Sequence, residues 1–170
     1  LTVEEHKARA SDSISCLVLT VSDTRTEETD KSGKLMIDKL TDEGHKVSEY
    51  HIVKDEQSQI RAYMQRGVDD PKIDAVLING GTGMAKRDVT IEVIEKVLDK
   101  EMPGFGEIFR MLSYTEDIGS AAILSRAIAG VSGRTAVFST PGSSGAVTLA
   151  MDRLILPELR HIVGELNKDK

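Results

Sequence analysis

Ile73-Asp74-Ala75-Val76-Leu77-Ile78-Asn79-Gly80-Gly81-Thr82-Gly83-Met84-Ala85-Lys86-Arg87-Asp88-Val89-Thr90, running on through Ile91-Glu92-Val93-Ile94-Glu95-Lys96-Val97-Leu98, is the stretch on which the fold turns. The unbroken apolar run over residues 75 to 78 reads as a strand buried on both faces, and residues 91, 94, 97 and 98 share one face of a helix. Between them lies a glycine-rich corner. In parallel α/β sheets such corners sit at the carboxyl ends of strands. Glycines there let backbone N–H groups approach an anion, and the following helix dipole favours negative charge. The corner is therefore a candidate phosphate site. It is neither of the two commonest phosphate loops: Lys86 stands where a dinucleotide fingerprint needs its third glycine, which disfavours a nicotinamide-binding protein, and the Gly-Lys-Ser/Thr of a Walker loop is missing.

Outward from this stretch the pattern repeats. Residues 14 to 21 read as a first strand, ending at Ser22-Asp23. A helix beginning near Asp30 or Lys31 carries Gly33, Met36, Ile37 and Leu40 on one side and stops at Gly44, a residue type suited to a left-handed cap. Residues 47 to 53 form the second strand, followed by the Lys54-Asp55-Glu56 corner and a helix with Ile60, Met64, Gly67 and Val68 on one face, which Pro71 breaks. Three β-to-α alternations predict a three-layer α-β-α sandwich around a mostly parallel sheet. After Pro103 a helix is expected with Phe105, Ile108, Phe109 and Leu112 on its apolar face. Strands over 126 to 131 and 134 to 139, joined at Ser132-Gly133, suggest an antiparallel edge hairpin. A helix follows Gly145, restarts at Pro157 and continues with Leu159, Ile162, Val163 and Leu166 in line.

A length of 170 residues suits a single domain from residue 14 onward, able to bury about 70% of its unfolded surface. Residues 1 to 13, charged and without a clear apolar period, are expected to be a flexible arm or to pack on another subunit. The net charge of −6, with both signs interspersed, excludes a surface drawn as a whole to nucleic acid or anionic lipid. Nothing reaches the roughly 20 apolar residues of a membrane span, and the polar start has no signal-peptide core, although a start at Leu1 without methionine leads one to expect a trimmed or incomplete N-terminus. The single Cys16, in an apolar run, suits a reducing cytoplasm and a plain packing role.

The sheet places four corners at one edge: Ser22-Asp23, Asp55, residues 80 to 88, and residues 141 to 144. Asp55 and Asp88 stand just ahead of helices, so each is either a metal or pyrophosphate ligand or an N-cap worth about 1 kcal/mol. Three glycines in four positions, Gly80, Gly81 and Gly83 around Thr82, lean toward close backbone approach rather than a plain turn. Lys86 and Arg87 either reach phosphate or are solvated. Ser143 and Ser144 precede a helix and have N-capping as their alternative; Ser22, Asp23 and Ser125 have a structural one. Glu107 and Arg110, one turn apart, read equally well as a salt bridge or subunit contact. His6, His45, His51 and His161 show no metal-ligand spacing and are expected to be non-catalytic.

The Gly-Gly-Thr-Gly corner with Arg87-Asp88-Val89-Thr90 occurs in order with Val21-Ser22-Asp23, Lys54-Asp55-Glu56, Pro103-Gly104-Phe105-Gly106-Glu107, Leu124-Ser125-Arg126 and Thr140-Pro141-Gly142. Together these resemble the molybdenum cofactor biosynthesis family that includes molybdopterin adenylyltransferase, the MoaB/MogA family, over about residues 14 to 165. The stretch from Phe109 to Tyr114 and the compact tail look more like its B branch. The resemblance implies Mg²⁺-dependent transfer of AMP from ATP to the terminal phosphate of molybdopterin, with release of pyrophosphate. Asp55 and Asp88 correspond to the two aspartates implicated in adenylyl transfer and would arrange the Mg²⁺. Ser22, Asp23, Gly80, Gly81, Thr82, Gly83, Ser125, Pro141, Gly142, Ser143 and Ser144 would hold the two substrates, with Arg126 supporting the pterin wall. Some members carry Asn where Ser143 stands. A homo-trimer or homo-hexamer is also implied, with other proteins of the pathway as further partners. A non-catalytic molybdopterin-binding or scaffold protein stays open, because a retained pocket does not guarantee retained catalysis.

Overall fold

β3 (Ala75–Asn79) is buried along its whole length, as its apolar run requires. In the computed structural model, which describes residues 2–8 and 13–168, it pairs in parallel with β1 (Ser15–Val21) on one side and β6 (Thr135–Thr140) on the other. The six strands run in the order β2-β1-β3-β6-β5-β4, where β2 is Lys46–Val53, β4 is Lys100–Glu101 and β5 is Ile128–Ser132. β5 is antiparallel to β6 and to β4, so the sheet is mostly parallel with an antiparallel hairpin toward one edge. Gly133, at φ +59, turns that hairpin. The edge strand β4 is new relative to the sequence pattern. Two charged residues carry no periodicity, and the strand is flanked by the N–H of Asp99 and of Met102 donating to the carbonyls of Val131 and Ala129.

Alternation along each strand sorts the side chains into two cores. Cys16 and Val18, Ala75 and Leu77, and Ala136 and Phe138 pack with α2 (Lys31–Asp42), α5 (Pro103–Glu116), α6 (Ser144–Ala150) and α7 (Leu156–Asn167). Leu17 and Leu19, Val76 and Ile78, and Val137 pack with α3 (Gln57–Asp69) and α4 (Thr90–Val97) on the other face. The result is the expected three-layer sandwich. Gly67 lets α3 sit close to the sheet, since a Cβ there would lie 2.6 Å from a methyl of Val76. Gly44 ends α2 at φ +84, as its position predicts.

Three local readings differ. Thr2 and Glu5 bond reciprocally, Oγ1 to N–H and Oε2 to N–H, in a capping box that starts α1 (Val3–Ala8), which lies along α7. So part of the expected arm is helical; residues 1 and 9–12 of it lie outside the described residues. On α5, Phe105 and Phe109 are buried but Ile108 faces outward. Before Pro157 the chain widens into a π turn, Met151–Ile155, instead of breaking, which accommodates a residue with no N–H to donate. Among the described residues no helix is long and apolar enough to cross a membrane.

The topology also opens a crevice. β1 and β3 are neighbours, yet the helix after β1, α2, packs on one face of the sheet and the helix after β3, α4, on the other. Where adjacent strands send their connections to opposite faces, the loops at their carboxyl ends diverge and leave a cleft.

Candidate active site

That cleft is a cavity of about 520 Å³ lined from the corners of β1, β2, β3 and β6. Ser22, Asp23, Asp55, residues 80 to 83, Asp88, Ser125, Pro141 and Gly142 all reach it, so a set spread over the whole chain meets at one rim. The glycines at its centre have conformational reasons to be there. Gly80 and Gly81 adopt φ of +97 and +70. A Cβ on Gly80 would strike the carbonyl oxygen of Val21, and one on Gly81 would strike Thr90 Oγ1. The Pro141-Gly142 bend closes in from β6, with the Cβ position of Gly142 only 3.3 Å from Gly80 Cα.

Neither aspartate is spent on a helix end. The N-cap of α3 is Glu56 and that of α4 is Val89, and neither makes a side-chain cap bond. Asp88 instead turns back under its own loop, where Oδ2 accepts the N–H of Ala85 at 3.0 Å and lies 2.7 Å from the Cβ position of Gly83. Asp55 Oδ1 lies 3.4 Å from the Cβ position of Gly81. Both carboxylates thus face the glycine corner.

Asp23 joins them. Its Oδ1 accepts the N–H of Asp55 at 2.9 Å, and its Oδ2 pairs with the guanidinium of Arg87. The Asp55 N–H, followed by Arg87, holds the Asp23 carboxyl below the usual carboxylate range. Asp55 goes the other way. Burial first, and then the negative charge of Asp23, with a smaller push from Asp88, raise its pKa against the opposing pull of Arg87. A carboxylate crowded by two others is a natural place for a cation. Yet among the described residues no three His, Cys, Asp or Glu side chains gather closely enough to hold a metal by themselves. Hard oxygen donors in so small a number fit Mg²⁺, which commonly completes its shell with water and substrate phosphate.

The walls differ in character. Ile118, Ala121 and Leu124 make an apolar side next to Ser125. Ser22 Oγ accepts the N–H groups of Thr24 and Arg25 at 3.2 and 3.1 Å, and Ser125 Oγ that of Ala127 at 3.4 Å, so both serines also shape their own loops. Arg25, which the sequence pattern does not single out, spans the rim: it donates to the Gly142 carbonyl at 2.7 Å and to Asn79 Oδ1 at 3.4 Å. An arginine two residues past Asp23 at a strand's carboxyl end is the signal that could have marked it.

Ser143 does not line the cavity. It takes its alternative role as N-cap of α6, accepting from Ala146 N at 3.2 Å, while Ser144 borders a separate cleft beside Glu116 and Asp117. Lys86 is exposed, and Arg110 donates to the carbonyl of Ala127 at 3.1 Å. His45, His51 and His161 lie away from the cavity, His45 accepting from Ile14 N and the other two beside Glu49 and Glu158. Cys16 is fully buried, which pushes its thiol pKa up to about 12.

The profile of the family described as a probable molybdopterin binding domain matches residues 17–161. Molybdenum cofactor biosynthesis protein B of Bacillus subtilis (strain 168) is 64% identical over 170 residues, covering 100% of both chains. Among solved structures, a molybdenum cofactor biosynthesis protein B is 58% identical with a TM-score of 0.91, covering 94% of this chain and 99% of its own. The tungsten cofactor synthesizing protein MoaB from Pyrococcus furiosus is 36% identical with a TM-score of 0.83, covering 94% of this chain and 100% of its own.

Proposed function

The chain belongs to the molybdopterin-binding family of molybdenum cofactor biosynthesis proteins that includes MoaB and MogA, and from that premise we propose that it is a Mg²⁺-dependent molybdopterin adenylyltransferase. Its role in molybdenum cofactor biosynthesis follows from the family; the reaction is our reading of the site. An oxygen of molybdopterin's terminal phosphate attacks the α-phosphorus of ATP, the bond to the β-phosphate breaks, and pyrophosphate leaves with the displaced electron pair. No covalent enzyme intermediate is needed.

The observation that carries this is the pair of uncapped carboxylates, Asp55 and Asp88, turned toward a glycine corner inside one crevice. Two polyanions must be brought in line there, so the protein's work is positioning and charge neutralisation. Mg²⁺ held at these carboxylates would offset the charge of the triphosphate. Asp55 and Asp88 hold that position, and Asp23 and Arg87 set the local charge. The backbone of residues 80 to 83 leaves room for phosphate oxygens, and the apolar wall of Ile118, Ala121 and Leu124 beside Ser125 suits the flat faces of a pterin.

We extend the proposal to a cytoplasmic homo-trimer or homo-hexamer that hands its product to other proteins of the pathway. The exposed apolar face of α5 and the turn after it supports self-association, and the buried unpaired thiol of Cys16 suits a reducing compartment.

Steady-state turnover of purified protein with molybdopterin, ATP and Mg²⁺ tests the assignment. Asp55→Ala and Asp88→Ala should each lower kcat by about 100-fold or more while pterin binding, followed by fluorescence, is retained. Unchanged rates would contradict the roles given to them. Pterin binding by the wild type without turnover, beside an active control enzyme, would instead favour a non-catalytic binding protein.

A further inference from the structure

Residues 83 to 88 form the outer part of the glycine corner, and from Met84 to Arg87 they are exposed. Internally the segment closes through Asp88 N–H to the Ala85 carbonyl at 3.0 Å and through Ala85 N–H to Asp88 Oδ2 at 3.0 Å. Such a small turn defines its own shape but not its position over the cavity. What fixes its two ends is Arg126, which precedes β5 and follows the cavity residue Ser125. Nε and Nη2 donate to the Gly83 carbonyl at 3.1 and 2.7 Å, and Nη2 also donates to the Asp88 carbonyl at 3.0 Å. Its remaining nitrogen, Nη1, pairs with Glu92 Oε1 on α4 at 2.7 Å. One planar fork therefore joins the beginning of the segment, its end, and the helix that follows.

We propose that Arg126, braced by Glu92, is a positioning residue that straps residues 83 to 88 so that the Asp88 carboxylate keeps its place against Gly83. This rests on the reading of Asp88 as a group that handles metal and phosphate. The chemistry requires arginine. Two carbonyls some five residues apart are served by donors in a rigid plane, and a lysine ammonium offers one point of attachment without that plane. Because the carbonyl and the following N–H of a trans peptide point opposite ways, carbonyls drawn to the guanidinium also turn the N–H groups of Met84 and Val89 away from it. The side chain is only 29% exposed, so water competes poorly for these bonds.

Hydrogen–deuterium exchange of the ligand-free protein, together with kinetics, tests the strap. Arg126→Lys should speed exchange of the amides of residues 83 to 89 by about tenfold or more, with other segments unchanged. It should lower kcat by about 10- to 100-fold. Glu92→Gln, which leaves the arginine in place, should show both effects several-fold more weakly. Should Arg126→Lys fail to fold, Glu92→Gln decides alone. Exchange over residues 83 to 89 as slow as in the wild type, in the folded variant or variants, would overturn the proposal. If the wild type makes no adenylylated product, the proposed reaction fails while exchange still decides whether the strap exists.

Discussion

In the proposed reaction Asp55 would carry both the chemistry and its cost. Its carboxyl is pushed up by burial and by the charges of Asp23 and Asp88. An acid whose folded pKa lies above its unfolded value destabilises the fold once pH exceeds both, and does so not at all once pH is below both. Asp55→Asn should therefore resist urea better than the wild type at about pH 7 and no better at about pH 3, while losing turnover. A variant less stable at neutral pH would show that the carboxylate is paired rather than crowded. Asp23 has the opposite sign. Its depressed pKa contributes stability above the unfolded value, lost as pH falls through the folded one. Much of this was legible at the residue scale, because Asp55 and the Gly80 corner lie at strand ends where a parallel sheet gathers its loops. What was not legible is how side chains divide their bonds. An Asp just ahead of a helix looks the same in sequence whether it caps or not, and Ser143 caps where Asp55 and Asp88 do not.

Among the elements, α2 bears directly on the site. Its N-cap, Asp30, is fully buried, accepts Gly33 N–H at 3.0 Å and the phenol of Tyr50, and lies 3.7 Å from Arg25. Two residues on, Ser32 Oγ donates to the Gly142 carbonyl at 2.5 Å, so the start of this helix holds the Pro141 bend against the crevice. Asp30→Ala removes a cap and strands the buried Gly33 N–H and the part-buried Tyr50 phenol, and should cost about 2–4 kcal/mol in urea unfolding. A loss within roughly 0.5 kcal/mol, the range of an ordinary surface change, would contradict that account. The helix itself was readable from Gly33, Met36, Leu40 and the Gly44 stop, since period and cap residues agree. β4 and the π turn were not. Two charged residues gain strand geometry only from the neighbour they meet, and the widening before Pro157 depends on packing that a proline signal does not encode.

On the scale of the whole molecule, α5 leaves Ile108, Met111 and Tyr114 exposed, and the turn after it adds Ile118, Ile123 and Leu124. Ile118 and Leu124 also line the cavity, so the apolar face and the crevice are continuous. If the chain assembles as proposed through this face, Met111→Glu combined with Tyr114→Glu should lower the mass found by sedimentation to that of a monomer; an unchanged mass would contradict this face as the contact. The three-layer order followed from alternating strands and helices, whereas the outward turn of Ile108 did not, because an apolar stripe does not say whether a core or a second chain covers it. In the proposed reaction the corners of four strands bring a pterin phosphate and a nucleotide together for in-line transfer. A single-turnover incubation with molybdopterin, Mg²⁺ and ATP radiolabelled at its α-phosphate tests it most directly. The label should move onto the pterin as pyrophosphate is released; label remaining in ATP, with molybdopterin bound and an active control enzyme transferring it, would overturn the proposed transfer.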